Sequence, residues 1–287
     1  MCRLFGLSAA PKRVQATFWL LEAPDSLTQQ SRREPDGTGL GIFTADGEPE
    51  IDKRPLAAYE DRAFAEEAKH CRSVTFIAHV RYASTGALEQ RNTHPFQQHG
   101  RLFAHNGVIG DLPALDAELG DARGLVAGET DSERFFALIT KHIAANGGAV
   151  GDGIAAAARW VADSLPVYAL NLVLTTPTEL WALRYPDTHE LHVLQRAAGG
   201  QHRDRYLDHT SAAGRIRTRS GQLAETPAVV VASERMDEDP GWQAMRSGEL
   251  LHVDGDLSVT RRIVLEDPPR RPLSLADLDA HAAASQA

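Results

Sequence analysis

The chain predicts an α+β domain in which antiparallel sheets lie in layers with helices packed outside them. Strand-like segments open the chain, two helical patterns follow back to back, and a run of further strands closes it. The closing strands lie too near one another for crossover helices, so they pair antiparallel. That order departs from the strand–helix alternation of a doubly wound sheet.

Residues 3–8 read as a short buried strand. Polar and turn-forming residues fill Glu22 to Gly41 and end in Pro35-Asp36-Gly37-Thr38-Gly39-Leu40-Gly41. Neither the Lys-Ser/Thr ending nor the glycine spacing of a phosphate loop is present. The glycines instead predict a tight turn into a strand from Leu40 to Thr44, with backbone lying close against a neighbour. Tyr59 to His70 reads as a surface helix, and Val74 to Tyr82 as a strand buried on at least one face. Arg101 to His105 is a further strand, ended by the turn dipeptide Asn106-Gly107.

Thr130-Asp131-Ser132-Glu133 matches a capping box, with Thr130 as N-cap and Glu133 at the third position. Phe135, Phe136, Leu138, Ile139 and Ile143 follow at helical spacing, and Asn146-Gly147-Gly148 stops the helix. Ala-rich Ile154 to Leu165 makes a second helix beside the first. Strands follow at 167–175, 179–185, 190–195, 228–233, 250–253 and 257–265. Gly199 to Gln222 is a polar, basic loop. Asp267 onward, with Pro268, Pro269 and Pro272, reads as a tail with at most one short helix. No repeat or linker divides the chain, so one domain is expected over 1–266, with a tail at 267–287.

With 287 residues and 43% hydrophobic residues the chain can build a sizeable core. A net charge of −9, with no basic run, excludes nucleic acid as a natural partner. The 12 histidines show no ligand-like spacing, so no metal is indicated. Two cysteines make no disulfide framework; Cys71 reads as a structural thiol. No apolar run is long enough to span a bilayer, and Phe18-Trp19-Leu20-Leu21 is too short for a signal-peptide core. A cytoplasmic protein is expected, which suits a reduced thiol.

That thiol is Cys2. A small residue in second position lets Met1 be trimmed, which would make Cys2 the N-terminus. Such a residue unites a nucleophile of pKa about 8.5 with an α-amine of pKa about 8 that can carry its proton. The plainer reading is a small buried residue at the start of a strand. Arg81, ending an apolar strand, offers a planar fork suited to a carboxylate, or is simply a solvent-exposed arginine. The Asn106 amide and the Gly107 N–H could converge as an oxyanion hole, or mark an ordinary turn. Asp131 could receive a substrate ammonium, or merely favour the helix dipole. Arg81 and Asp131 together would define an α-amino-acid head group.

These segments resemble the class II glutamine amidotransferase family of N-terminal nucleophile hydrolases. The resemblance rests on Cys2, His79-x-Arg81-Tyr82-Ala83, Asn92-Thr93-His94-Pro95, His105-Asn106-Gly107 and Gly128-Glu129-Thr130-Asp131-Ser132-Glu133. The start Met-Cys-Arg-Leu-x-Gly and the stretch Val231-Ala232-Ser233-Glu234 are similar to the stand-alone branch, which includes the amidohydrolase of ergothioneine biosynthesis. The resemblance implies a four-layer α/β/β/α sandwich of two antiparallel sheets. It implies Cys2 as nucleophile, Asn106 and Gly107 as oxyanion hole, Arg81 for the substrate carboxylate and Asp131 for its amine. Ser84 and Thr85 would line the same pocket. Tyr82 and Thr85 depart from the Trp and His that many synthase members carry there. His94 and His105 are expected to be structural.

The expected activity is cleavage of the γ-glutamyl amide of glutamine or of a γ-glutamyl conjugate, through a thioester on Cys2. No metal or organic cofactor is implied, and the partner is a small molecule. A glutaminase subunit serving a separate synthase, a homo-oligomer, and a non-catalytic glutamine or γ-glutamyl sensor stay open.

Overall fold

The computed structural model describes residues 2–82, 86–198, 208–210, 217–219 and 225–286. The strands before the helical pair are β1 (Arg3–Ser8), β2 (Gly37–Phe43), β3 (Pro49–Arg54), β4 (Thr75–Arg81), β5 (Phe96–Gln98) and β6 (Arg101–Ile109). After it come β7 (Pro166–Thr175), β8 (Leu180–Arg184), β9 (His192–Arg196), β10 (Asp208–Thr210), β11 (Arg217–Arg219) and β12 (Ala228–Ala232). The last are β13 (Gln243–Ala244), β14 (Glu249–Val253), β15 (Val259–Ile263) and β16 (Arg271–Pro272). The helices are α1 (Leu27–Gln30), α2 (Arg62–His70), α3 (Leu112–Leu119), α4 (Asp131–Ala145), α5 (Val150–Ser164) and α6 (Ala280–Gln286), with a π turn over Phe18–Glu22.

One sheet runs β13-β9-β12-β1-β4-β2-β3, the other β15-β14-β8-β7-β6-β5, with β16 added in parallel at the start of β7. Every other pairing is antiparallel, as the close spacing of the strands predicted. β10 and β11 pair only with each other. The rest of the expected loop at 199–222 lies outside the described residues.

Alternation along each strand divides the core into three layers. Leu4, Ile77, Leu102, Ala104, Val173 and Val231 meet between the sheets. Phe5, Leu7, Phe76 and Val80 face the other way, onto Trp19 of the π turn and Phe64 of α2. Phe103, Leu170 and Leu172 likewise face Phe135 and Phe136 of α4 and Ile154 of α5. The result is the α/β/β/α sandwich. Among the described residues no helix is long and apolar enough to cross a membrane.

Three local expectations change. Asn106-Gly107 is no turn: β6 continues through it to Ile109, paired with β7 at Asn106↔Asn171 and Gly107↔Leu170. Glycine is needed there because a Cβ would lie 1.9 Å from the Ala169 carbonyl oxygen. The Gly37-x-Gly39-x-Gly41 stretch is not a turn either but part of β2, with its glycines on one face. A Cβ on Gly39 would sit 2.0 Å from the His94 carbonyl oxygen, so the strand lies directly on the His94-Pro95 segment. The tail is also more tied down than expected. β16 pairs with β7, and Leu273 and Leu278 pack against Val108, Tyr168 and Ala169 before the single helix α6.

Gly39→Ala should therefore push β2 off the segment that carries His94, costing about 1–3 kcal/mol as other overpacked substitutions do. Urea unfolding monitored by circular dichroism measures it. An unchanged midpoint would mean that the close contact does not exist.

Candidate active site

The candidate residues converge because β1, β4 and β6 carry them to one edge of the sandwich. The register of β1 with β4 (Arg3↔Val80, Leu4↔His79) sets Cys2 opposite Arg81. Cys2, Leu4, His79 and Arg81 share the parity that faces the second sheet, and Asn106 shares the inward parity of Leu102 and Ala104. The N-terminal turn of α4 closes the edge. Its N-cap Thr130 accepts the Glu133 N–H at 3.2 Å, as the capping pattern predicts. The Glu133 carboxylate does not reach back to Thr130; it takes the N–H groups of Ala127 at 3.2 Å and Gly128 at 2.6 Å.

Cys2 is buried. Its Sγ accepts the Tyr82 N–H at 3.2 Å and lies 3.2 Å from the Tyr82 carbonyl oxygen, to which a thiol proton can be given. The Cys2 carbonyl accepts from Asn106 Nδ2 at 3.0 Å and from Arg3 at 3.5 Å. Burial pushes the thiol up to about 11, against the Tyr82 N–H, and with the Glu34 carboxylate adding to the rise that Arg81 opposes. Burial alone therefore does not activate this thiol.

Arg81 is 3% exposed rather than solvent-facing. Its guanidinium donates to the carbonyls of Gly86 at 3.3 Å and Ala87 at 3.2 Å. Burial lowers its pKa, while Cys2, Asp36 and Asp131 oppose the shift. Asp131, 1% exposed, accepts the Ile109 N–H at 2.9 Å and the Ser132 N–H at 2.9 Å. The Ile109 bond has a structural cause: the β6–β7 register slips between Val108 and Ile109, and Asp131 receives the N–H beside the slip.

Cys2, Arg81, Tyr82, Asn92, His94, His105, Gly107, Thr130 and Ser132 line a narrow cavity of about 20 Å³. That is room for little more than one water molecule, which needs about 10–15 Å³. Of the expected residues, Cys2, Arg81 and Gly107 line it, Asn106 touches it through Cys2, and Asp131 stands one residue behind Ser132. Ser84 and Thr85 lie outside the described residues. No group of three or more His, Cys, Asp or Glu side chains among those described could hold a metal ion.

A family profile for "Glutamine amidotransferases class-II" matches residues 1–272. The chain belongs to that family. Membership makes it an amidohydrolase-type enzyme with the N-terminal nucleophile fold. It is 31% identical to the gamma-glutamyl-hercynylcysteine sulfoxide hydrolase of Mycobacterium tuberculosis over 88% of this chain and 93% of that one. It is 32% identical to the probable glutamine amidotransferase DUG3 of Saccharomyces cerevisiae over 40% of this chain, and the match spans only 36% of that relative. Among solved structures, the glutamine phosphoribosylpyrophosphate amidotransferase of Bacillus subtilis shares the fold at a TM-score of 0.63 and 18% identity. That match covers 93% of this chain and 50% of the other.

Sequence reasoning set aside His94 and His105 as structural and gave His79 no role, and the fold brings the three together. The His79 and His94 rings lie 4.1 Å apart, and His94 and His105 line the cavity. Burial, with Arg81 next, pushes His79 down to about 3. Burial, with His79 and His105 next, holds His94 well below 6.5. His105 Nε2 faces the Ala169 carbonyl at 3.3 Å, which can only accept, so that nitrogen carries the proton and Nδ1 accepts from Ser132 Oγ at 3.0 Å. His79 and His105 gave only the signal of a polar residue inside an apolar strand, which a lone histidine shares with many core positions, and His94, in the bend before β5, gave none.

A depressed histidine pKa stabilises the fold fully above pH 6.5, and that stability is lost as pH falls toward about 3, because the unfolded chain binds protons the native one refuses. Urea unfolding should therefore weaken through this window. His79→Asn should make the slope shallower by about 1.4 kcal/mol per pH unit, one proton's worth. Equal slopes in the two proteins would show that His79 titrates normally in the fold.

Proposed function

We propose that the enzyme hydrolyses the amide of a γ-glutamyl compound, glutamine or a γ-glutamyl conjugate, with Cys2 as its nucleophile once Met1 is trimmed. The observation that carries this is the shared cavity: a buried thiol opens onto the same small space as a buried guanidinium and Gly107. The Asn106 amide is anchored beside it on the Cys2 carbonyl.

In this reading the freed α-amine, through a water, accepts the thiol proton, and sulfur adds to the substrate's side-chain carbonyl. One hydrogen of Asn106 Nδ2 stays on Cys2; the other, with the Gly107 N–H, meets the oxyanion. The carbon–nitrogen bond breaks as the leaving amine takes the proton from the α-ammonium. A γ-glutamyl thioester remains on Cys2. Water, losing a proton to the same amine, attacks the thioester; glutamate departs and the sulfur regains its proton. Arg81 grips the α-carboxylate and Asp131 the α-amine. Burial raises the thiol's pKa, so a base beside it aids the attack at neutral pH.

The relative aligned over nearly its whole length is named a hydrolase of a γ-glutamyl conjugate, and this favours hydrolysis of such a conjugate. A glutaminase subunit that passes ammonia to a separate synthase is the second reading. It draws on the match to half of the B. subtilis amidotransferase. Glutamate release by the purified protein alone, from glutamine and from a panel of γ-glutamyl amines, distinguishes them: turnover that appears only with an added synthase would favour the subunit.

Cys2→Ala should reduce turnover to background while circular dichroism stays unchanged. Intact-mass spectrometry of the active protein should show Met1 removed. Full activity in the alanine variant, or in protein that keeps Met1, would falsify the mechanism. Arg81→Lys should raise KM about tenfold or more, since lysine keeps the charge and loses the fork; an unchanged KM would remove Arg81 from substrate binding.

A further inference from the structure

The guanidinium of Arg81 rests on the carbonyls of Gly86 and Ala87, so whatever holds those two residues holds Arg81. Both peptide groups of Ala87 are held from outside. Its N–H donates to Glu129 Oε2 at 3.2 Å, and its carbonyl accepts from Asn92 Nδ2 at 3.1 Å as well as from Arg81. Asn92 and Glu129 also bind each other twice. Asn92 Nδ2 donates to Glu129 Oε2 at 3.1 Å, and the Glu129 N–H donates to Asn92 Oδ1 at 2.9 Å.

Asn92 is fully buried, and its amide fills a slot bordered by glycine: a Cβ on Gly128 would stand 2.6 Å from Asn92 Oδ1. The other end is anchored in α4. Arg134 donates to the Glu129 carbonyl at 2.6 Å and the Thr130 carbonyl at 3.1 Å, and is itself held by Asp116 at 2.8 Å. Glu129 and Asp131 flank Thr130, the N-cap of α4.

We propose that Asn92 and Glu129 form a positioning clamp that sets the distance between the Arg81 guanidinium and the Asp131 carboxylate, and so selects substrates with an α-amino-acid head group. The proposal rests on the reading of Arg81 and Asp131 given above. Asn92 borders the cavity, but its side-chain bonds go to Ala87 and Glu129, so the role assigned to the pair is positioning. One continuous set of hydrogen bonds runs from the α4 terminus through Glu129, Asn92 and Ala87 to Arg81. It joins the group that reads a carboxylate to the turn that reads an amine. A misplacement well below an ångström at such a site weakens binding of a rigid two-point ligand.

The test compares L-glutamine with 4-aminobutanamide, the same γ-amide without the α-carboxylate, in wild type, Asn92→Ala and Glu129→Gln. For Asn92→Ala, KM for glutamine should rise about tenfold with kcat within about threefold, while kcat/KM for 4-aminobutanamide moves less than about twofold. Glu129→Gln should show the same pattern more weakly, and carries the test alone if Asn92→Ala does not fold. Equal losses on both substrates, or a fall in kcat at constant KM, would reduce the pair to ordinary loop scaffolding and overturn the proposal. A wild type that treats the two amides alike would instead remove the underlying reading of Arg81. If glutamine is not turned over, the dissociation constants of L-glutamate and 4-aminobutanoate in the same proteins decide both points. No preference for glutamate in wild type removes the Arg81 reading; a full preference retained in Asn92→Ala removes the clamp.

Discussion

Cys2, the proposed nucleophile, lies where chains ordinarily fray and must be held there, and the rest of the candidate site answers to that constraint. β1 is not an edge strand: β12 flanks it on one side and β4 on the other. Beyond the last ladder pair, the Cys2 carbonyl is tied to Asn106 of the second sheet at 3.0 Å. That bond crosses the sandwich, so the end of the chain is fixed to both sheets. Everything the site needs then follows from register. With Cys2 opposite Arg81, and with Asn106 facing the gap, the position of the sulfur is decided by backbone pairing and not by a flexible loop.

Burial is the second consequence of that placement. The sulfur, the guanidinium and three imidazoles share one poorly solvated edge, where unpaired charge is costly. The histidines respond by staying neutral, and the thiol by keeping its proton. The guanidinium stays charged and is met by carbonyls and by nearby carboxylates. Neutral histidines are useful neighbours here: two of them line the cavity without adding positive charge that would compete with Arg81 for an anionic group. The same desolvation strengthens any oxyanion contact made inside the cavity.

The outline of the fold was legible because its signals are local. The N-cap at Thr130, the apolar stripe of α4, the Asn-Gly-Gly stop and the closely spaced C-terminal strands each state their conformation within a few residues. What failed were positions where a distant neighbour decides. Asn106-Gly107 has turn chemistry, yet β7 pairs along it and carries β6 straight through. The glycines of β2 suggest a bend until the His94 carbonyl is seen lying against them. The candidate site was half legible for the same reason. Cys2, Arg81 and Gly107 could be named from motif and residue type, whereas the cavity contacts of His94 and Ser132 and the bonds of Asn92 arise only when segments far apart in sequence meet. Asp131 is the instructive intermediate case: its polarity was noticed, but its bond to the slipped N–H of Ile109 could not be inferred without the bulge.

That bond sharpens the argument about what the head of α4 does. A carboxylate that already receives two backbone N–H groups is held in orientation. In the proposed reading it meets a substrate ammonium without having to move. Arg81, resting on two carbonyls, is likewise oriented before any ligand arrives. Opposite charges fixed in advance lose little on binding, so the proposed head-group contacts cost little reorientation of either side chain. The thiol is the contrary case: it is positioned, but burial raises its pKa rather than lowering it. Placement is therefore built into the fold, whereas in the proposed mechanism reactivity waits on removal of Met1.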